Sequence, residues 1–496
     1  MSNIRLTYPG LMAFVITLIS VFTGLVFTLI VTRRLSQDEF GLWSLMGSLL
    51  IYVMVFVPIN TYWVSRHVAR NEEASITGIV CSMLFSLAAT AAYIVIIFFI
   101  SETTDVDYGT LLFSSILIPL MYLVATMRGI VTGFRPQGNA YAILVFELTK
   151  IPSGFLLVYW ADMGIIGAII TSAIAQGAQV VFYLYYIREK LRERFCYSQF
   201  KQWLKLSWLP VFSSLHDRIL HLDSTIFTIL IGSVTGLSYV GVARAISNLV
   251  SNTGSISSAL SPKLIASQKV EYLELILKRT LLFSIPAVGF SFIFAKPSLW
   301  VLNPLYVDGI YILYVWIIVQ FTYVFQGIFA GALTGIEKVD IGFQSKFRDY
   351  LKSKLFTIPL VYVVSYLSYI AMLIVVLVLS IQVKLPTLDI IFWWGSVGII
   401  SNVAIVLIFW KMTSKNLSFG FPRIIVLKYI IATAIASSIS YITLDQFLQY
   451  NESIFVFGPS LIPHILLFVG IYFSIMLTWD HETRSLFSQI LREFKK

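Results

Sequence analysis

Apolar runs of about twenty residues recur along this chain from one end to the other, and a run of that length crosses the hydrocarbon core of a bilayer as a helix. Fourteen can be placed, at roughly 8–32, 42–64, 75–100, 110–133, 140–160, 164–187, 207–231, 240–262, 280–297, 310–335, 355–379, 388–410, 424–444 and 459–479. Their length excludes the strands of a membrane barrel, which would be about half as long and would alternate apolar with polar side chains. Composition agrees: 58% of the 496 residues are hydrophobic and 12% charged, about half the charged fraction of a soluble domain. No water-facing surface for a soluble fold can be built from such a chain. The first run is longer than the apolar segment of a signal peptide and ends in Arg33-Arg34 without a small-residue cleavage site, so it reads as a span. Cys81 and Cys196 lie far apart and make neither a disulfide framework nor a metal motif.

The loops orient the spans. With both termini in the cytosol, 27 of the 35 lysines and arginines fall toward the inner side, and only Arg33, Arg34, Lys296 and Lys384 toward the outer one. The inner segment "IREKLRERFCYSQFKQWLK" contributes six bases, while the outer segment "SETTDVDYGT" holds three acids and no base. Positive loops stay on the cytosolic side. The chain therefore reads as a multi-pass protein of the cell membrane with both ends inside. The net charge of +10 is a topology signal rather than a nucleic-acid signal, and the basic loops are placed against anionic lipid. No loop is long enough for a soluble domain; the longest outer one is roughly 445–459.

Two places resemble each other at a spacing near 200 residues. "RRLSQDEFGLWSLMGSLL" leaves the first span and "ILIGSVTGLSYVGVARAISNL" leaves the seventh; each turns through polar residues and restarts at Gly41-Leu42-Trp43 or Gly236-Leu237-Ser238-Tyr239. Thr132-Gly133 before "FRPQGNAY" and Thr334-Gly335 before "IEKVDIGF" form a second pair. Six spans separate the copies, an even number, so the halves run parallel. The expected fold is an all-α polytopic membrane protein of about 14 transmembrane helices: an N-terminal lobe over 1–206, a C-terminal lobe over 207–412, and two extra helices with a cytosolic tail over 413–496. Two parallel six-helix lobes are a transporter design with a substrate site between them.

On these residues the chain resembles the polysaccharide and oligosaccharide-lipid flippases of the multidrug/oligosaccharidyl-lipid/polysaccharide (MOP) exporter superfamily. "TRRLSQDEFGLWSL" looks like the turn that opens those flippases, and "GLSYVGVARAISNLV…LSPKL" looks like the eighth helix of the related lipid II flippases. In the latter an arginine follows the turn, as Arg244 does, and a basic residue follows proline at the inner end, as Pro262-Lys263 do. The lipid II branch carries arginine within its second helix, whereas 42–64 has no charge. The resemblance thus implies the broader oligosaccharide-lipid group. The multidrug antiporters of the superfamily often carry a key acid early in the first lobe, and 8–32 and 42–64 contain none.

Charge within the spans marks the candidate site, because a charge at the bilayer centre costs about 2.5–3.5 kcal/mol on insertion scales and faces a partner or a wet cavity. The densest cluster is "HDRILHLD", His216 to Asp223, with Asp217, Arg218 and His221 between. At about 1.5 Å per residue it lies roughly 14–24 Å into the seventh span. Its polar arc exceeds half the helix circumference, which suits a cavity; a local network of Asp217 with Arg218 or His221 is the alternative. Glu147 and Lys150 stand one turn apart in the fifth span, as an ion pair or as cavity lining. Arg128, Arg244 and the Arg33-Arg34 pair lie near span ends, where arginine can also snorkel or anchor. Arginine and lysine grip phosphate, so Arg218, Arg244, Arg34, Lys150 and Arg128 are candidates for a substrate phosphate. Asp223, Asp217, Glu147 and His221 are candidates for binding a coupling ion, H+ or Na+.

Other motifs are weaker. Asp105-Val106-Asp107 matches the DxD of metal-dependent glycosyltransferases but sits in a tiny acidic loop. Asn451-Glu452-Ser453 is a glycosylation sequon on the expected outside and Asn416-Leu417-Ser418 one on the inside. P-loop, Rossmann glycine, HExxH and GxSxG motifs are lacking, so ATP hydrolysis within the chain is not expected; the transporter reading calls for no enzyme, cofactor or metal. The expectation is a monomeric flippase moving a phosphate- or pyrophosphate-linked lipid oligosaccharide for surface polysaccharide or glycoprotein synthesis. The competing readings are a multidrug/cation antiporter and a membrane-embedded polymerase or glycosyltransferase.

Overall fold

The computed structural model describes residue 20 and residues 23–260, 264, 269–337 and 347–494. Among the described residues the secondary structure is helical, with no strand. The principal helices are α1 (23–34), α2 (Gln37–Ala69), α3 (Ser75–Thr103), α4 (Tyr108–Phe134), α5 (Gly138–Trp160), α6 (Gly164–Tyr186) and α7 (Trp208–Ile231). They continue as α8 (Thr235–Asn252), α9 (Glu271–Ile293), α10 (Pro304–Gly335), α11 (Lys354–Gln382), α12 (Thr387–Asn416), α13 (Arg423–Phe447) and α14 (Ile454–Trp479). Eleven of them are long and apolar enough to cross a membrane. The chain is a multi-pass membrane protein. The other three are α1, described only in part, α7, which carries Asp217, Arg218 and Asp223, and α8, 18 residues long. A count of fourteen spans stays an expectation; the start of the first run and Pro262-Lys263 lie outside the described residues. Large apolar side chains such as Leu87, Phe99, Val181 and Phe455 are exposed along the helices, as lipid contact requires.

The helices fall into two compact units. The first runs through Gly241 and includes Ile370–Leu385; the second holds Val242–Tyr369 and Pro386–Lys496. The 206/207 and 412/413 lobe boundaries describe a sequence repeat, and they remain a proposal about symmetry.

In the first unit α2 packs against α3 and α4, α4 against α6, α5 against α6, and α7 against α2. Its core gathers Val64, Met127, Ile130, Tyr183 and Trp203. Buried Asn60 ties three helices, donating to the Gly78 carbonyl at 2.7 Å and the Thr126 hydroxyl at 2.9 Å. The linker after α6 docks on the helix ends: Glu193 accepts the backbone N–H groups of Ala74 and Ser75 at 3.0 and 2.7 Å. Trp203, on the amphipathic helix Tyr197–Lys205, donates to His67 Nε2 at 3.2 Å, while His67 Nδ1 meets the Glu72 carboxylate. An indole only donates, so this geometry puts the His67 proton on Nδ1.

The two resembling turns meet inside this unit. Gln37 Nε2 donates to the Tyr239 hydroxyl at 3.1 Å, and the Thr235 hydroxyl donates to Asp38 Oδ1 at 2.5 Å. Between them Gly41 lets α2 approach the backbone at Val234: a Cβ there would lie 2.0 Å from the Val234 carbonyl oxygen. The second pair also behaves alike, the Thr132 and Thr334 hydroxyls each bonding the carbonyl four residues back at 2.7 and 2.8 Å. In the second unit α10 packs on α12, α9 on α10 and α13, and α13 on α14. A core of Leu281, Tyr429, Phe457, Phe468 and Tyr472 closes it, and Gln326 donates to Asn402 Oδ1 at 2.9 Å across α10 and α12.

Gly41→Ala is expected to cost about 1–3 kcal/mol through overpacking, read as a lowered thermal midpoint in detergent. Gly47→Ala in the same helix, where a Cβ would meet nothing within 4 Å, leaves the midpoint in place. Equal behaviour of the two variants would rule out the close approach.

Candidate functional site

The site begins with a break in α2. Pro58 carries no N–H and its ring crowds the preceding turn, so the helix passes through a short 3-10 turn at Met54–Phe56 before Val57–Ala69 resumes. Val57 bonds back to Met54 rather than Val53. The Val53 and Met54 carbonyls thereby exchange α-helical partners for 3-10 ones, with room for a second donor on each. The Tyr122 hydroxyl donates to the Val53 carbonyl at 2.6 Å, and Arg218 Nη2 donates to the Met54 carbonyl at 3.3 Å. The turn before the proline thus offers an arginine the Met54 carbonyl inside the first unit.

α7 supplies that arginine. It ends at Gly232, whose φ of 76° is left-handed and suits a glycine cap. Along it Arg218 Nη1 meets Asp217 Oδ2 at 2.9 Å and the Ser214 carbonyl at 3.3 Å. His221 Nε2 lies 4.0 Å from Asp217 Oδ1. The Tyr52 hydroxyl, from α2, donates to the His221 carbonyl at 2.5 Å and lies 2.7 Å from the Thr225 hydroxyl. Asp217, Arg218 and His221 are therefore one network. Its members differ in access: the Asp217 side chain is 49% exposed and that of Arg218 17%. Asp223 is set apart by burial, at 1% exposure, with the Ser224 hydroxyl donating to its Oδ1 at 3.0 Å. His216 is partly buried on the same helix.

A second pair sits on α5. Glu147 Oε2 lies 2.9 Å from Lys150 Nζ, and the Ser20 hydroxyl donates to Glu147 Oε1 at 2.9 Å. The Lys150 ammonium stands over the rings of Phe27 and Phe146 at 5.3 and 4.9 Å. Both side chains are largely out of solvent, and a buried pair of this kind is costly to break by removing one partner.

The remaining arginines are dispersed. Arg34 lies over the Tyr159 ring at 4.0 Å, at the end of α1. Arg128 is exposed on α4. Arg244, in the second unit, lies 6.0 Å from the Trp316 ring centre and 5.8 Å from that of Trp394, which stand edge to face. Trp394 is fixed by its N–H bond to the Tyr369 hydroxyl at 2.8 Å. Cation–π attraction strengthens when the cation is desolvated. The candidate residues thus group as Asp217–Arg218–His221 and Glu147–Lys150, with Asp223, Arg34, Arg128 and Arg244 elsewhere.

Sequence reasoning overlooked Tyr52, Tyr122 and the Met54 carbonyl. The signal for the last was Pro58 inside an otherwise regular apolar run. The DxD motif resolves differently: Asp107 caps the helix that follows, accepting from the Thr110 N–H at 2.7 Å. Hydrogen bonds from Thr110 hold its carboxyl below the ordinary aspartate value. No group of three or more potential metal ligands occurs among the described residues.

Pro58→Ala restores an N–H that competes with Arg218 for the Met54 carbonyl. Hydrogen exchange should show greater amide protection over 54–58 than in the parent. Tyr122→Phe removes the hydroxyl bond to the Val53 carbonyl and should cost about 0.5–1.5 kcal/mol of stability. Unchanged exchange in the first variant would show that the break does not depend on the proline.

No family profile matches the chain, and no curated protein matches it. Solved structures do. The lipid II flippase MurJ in an inward closed conformation aligns at a TM-score of 0.62 and 16% identity, over 95% of this chain and 99% of its own. A multidrug resistance MATE family transporter of the MOP superfamily, inward-facing, aligns at 0.59 and 13%, over 80% of this chain and 95% of its own. An outward-facing structure of a transporter so described aligns at 0.55 and 14%, over 84% and 95%. The likeness expected from the turn after α1 and from the start of α8 is therefore borne out as a shared architecture: this chain has the fold of the MOP superfamily transporters.

Proposed function

We propose that this protein is a flippase that carries a lipid-linked oligosaccharide across the cell membrane by alternating access, in the service of surface polysaccharide or glycoprotein synthesis. The observation that carries the reading is α7. α7 carries Asp217, Arg218, Asp223 and two histidines, the densest charge on any of these helices, and its carboxylate at Asp217 is half open. Such a helix suits a polar, phosphate-bearing cargo better than an apolar one. The fold comparison is compatible with this reading and with the multidrug one alike: the flippase alignment takes in 95% of this chain, the multidrug ones 80–84%. In this reading α13 and α14 are the two extra helices beside two parallel six-helix lobes, with fourteen spans and both termini in the cytosol.

The residues then take roles. Arg218 and Arg244 hold phosphate oxygens of the cargo, with Arg34, Lys150 and Arg128 as further cationic stations along the path. Arg218 is held by Asp217 and by the Met54 carbonyl in this structure. A proton on Asp217 would weaken the first of these and turn the guanidinium toward a phosphate. Asp223, Glu147 and His221 are the other groups through which an H+ or Na+ gradient couples to the cycle. A transporter of this kind makes and breaks no covalent bond, works as a monomer, and needs no cofactor.

The test uses the purified protein in liposomes with a fluorescent polyprenyl-pyrophosphate oligosaccharide. Flipping is expected in the parent, with Arg218→Ala and Arg244→Ala each lowering the rate about tenfold, one charge-assisted contact's worth. Asp217→Asn and Asp223→Asn should reduce dependence on an imposed H+ or Na+ gradient. Drug efflux without flipping would establish the multidrug/cation antiporter instead. Sugar transfer by the purified protein would establish the polymerase or glycosyltransferase.

A further inference from the structure

A cavity of about 260 Å³ opens within the second unit, apart from the residues assigned to transport. It lies between the early turns of α9 and α13 and the start of the helix His481–Phe494, which follows α14. Leu275 and Leu282 give it an apolar floor. Some of its polar groups are already engaged. Lys278 Nζ meets Glu482 Oε1 at 2.7 Å. Asp480, 5% exposed, starts the terminal helix: its Oδ2 accepts from the Thr483 N–H at 2.9 Å and the Thr483 hydroxyl at 2.5 Å.

Three other groups on the cavity wall have no hydrogen-bond partner among the described residues: the Arg279 guanidinium, the Tyr429 hydroxyl and Asp480 Oδ1. Tyr429 is 2% exposed, so its hydroxyl has little besides this cavity to turn to. Tyr429 and Asp480 are buried and Arg279 partly so, and the three groups are free to bond what enters the cavity. They are of opposite kinds, a cation and a hydroxyl on one hand and a carboxylate oxygen on the other.

We propose that this cavity binds the zwitterionic headgroup of an aminophospholipid, with its phosphodiester on Arg279 and the Tyr429 hydroxyl and its ammonium on Asp480 Oδ1. Charge argues for a zwitterion: Lys278 and Arg279 are balanced by Asp480 and Glu482, so a purely anionic headgroup gains little net attraction. Size argues for a headgroup, because pockets that enclose drug-sized ligands run to about 300–1,000 Å³ and an oligosaccharide would not fit. Place argues for a lipid. The cavity lies at the ends of membrane-crossing helices, beside an amphipathic helix whose Phe487 packs on Phe473 of α14 at 5.3 Å. The site is independent of the cargo reading.

Native mass spectrometry of the full chain in detergent tests it, titrating phosphatidylethanolamine against phosphatidylglycerol. Phosphatidylethanolamine should bind at least about tenfold more tightly. Arg279→Gln and Tyr429→Phe leave the Thr483 bonds of Asp480 in place; they should weaken that binding about tenfold and a few-fold respectively. Asp480→Asn keeps an accepting oxygen and removes the charge, and should narrow the preference over phosphatidylglycerol. Equal binding of the two lipids by the parent, which needs no variant to fold, overturns the zwitterionic assignment. So does displacement of phosphatidylethanolamine by inorganic phosphate alone. Binding of soluble glycerophosphoethanolamine as tight as that of the lipid would make this a small-molecule site and overturn the lipid assignment. Unchanged binding in both Arg279→Gln and Tyr429→Phe, with thermal midpoints like the parent's, removes the cavity from consideration.

Discussion

A backbone carbonyl in hydrocarbon has no water to turn to, and each one left without a donor costs several kcal/mol. Much of the first unit's polar interior answers to that constraint. Pro58 interrupts the α-helical ladder of α2, and the carbonyls of Val53 and Met54 are left in a 3-10 turn. Tyr122 takes one and Arg218 the other. The arginine on α7 finds a further acceptor where α2 tightens into this turn. Without the arginine the Met54 carbonyl keeps the Val57 N–H, and without the proline Arg218 keeps Asp217 and the Ser214 carbonyl, so the contact between them is one bond of several on each side.

The same arrangement sorts the charges into those that are locked and those that are poised. Glu147 and Lys150 form an ion pair out of solvent, with a hydroxyl and two aromatic rings around them. Asp217 is different, since it bonds Arg218 and yet keeps half of its surface open. A group that is both paired and accessible can exchange its partner. That is what a reversible carrier requires, because its cargo has to be released as readily as it is bound.

The helices were legible in the sequence because bilayer thickness sets one length and apolar composition marks it; the run 75–100 became Ser75–Thr103 and 164–187 became Gly164–Tyr186. The charged stretch on α7 was legible for the same reason, as an exception to that pattern. The partners were less so. That Arg218 meets the Met54 carbonyl depends on packing between residues 164 positions apart, and no local rule connects them. Asp223 and Asp217 share a helix and a residue type, but only the packed structure shows that one is enclosed and the other open. The grouping of Arg279, Tyr429 and Asp480 draws on three separate helical segments and left no trace in spacing.

The weak internal repeat gains a physical meaning from its contacts. Similarity between the turns at Arg33–Trp43 and Gly232–Tyr239 is slight letter by letter, but the turns touch. Asp38 accepts from Thr235, Gln37 donates to Tyr239, and Gly41 admits the backbone at Val234. A turn that packs against its own counterpart has to satisfy two sets of neighbours at once. The contacts there are between short polar side chains and a glycine against backbone. Elsewhere the helices face apolar side chains or lipid, and many combinations of Leu, Ile, Val and Phe fill the same space. Similarity can therefore fade along the spans and stay visible where the two turns meet.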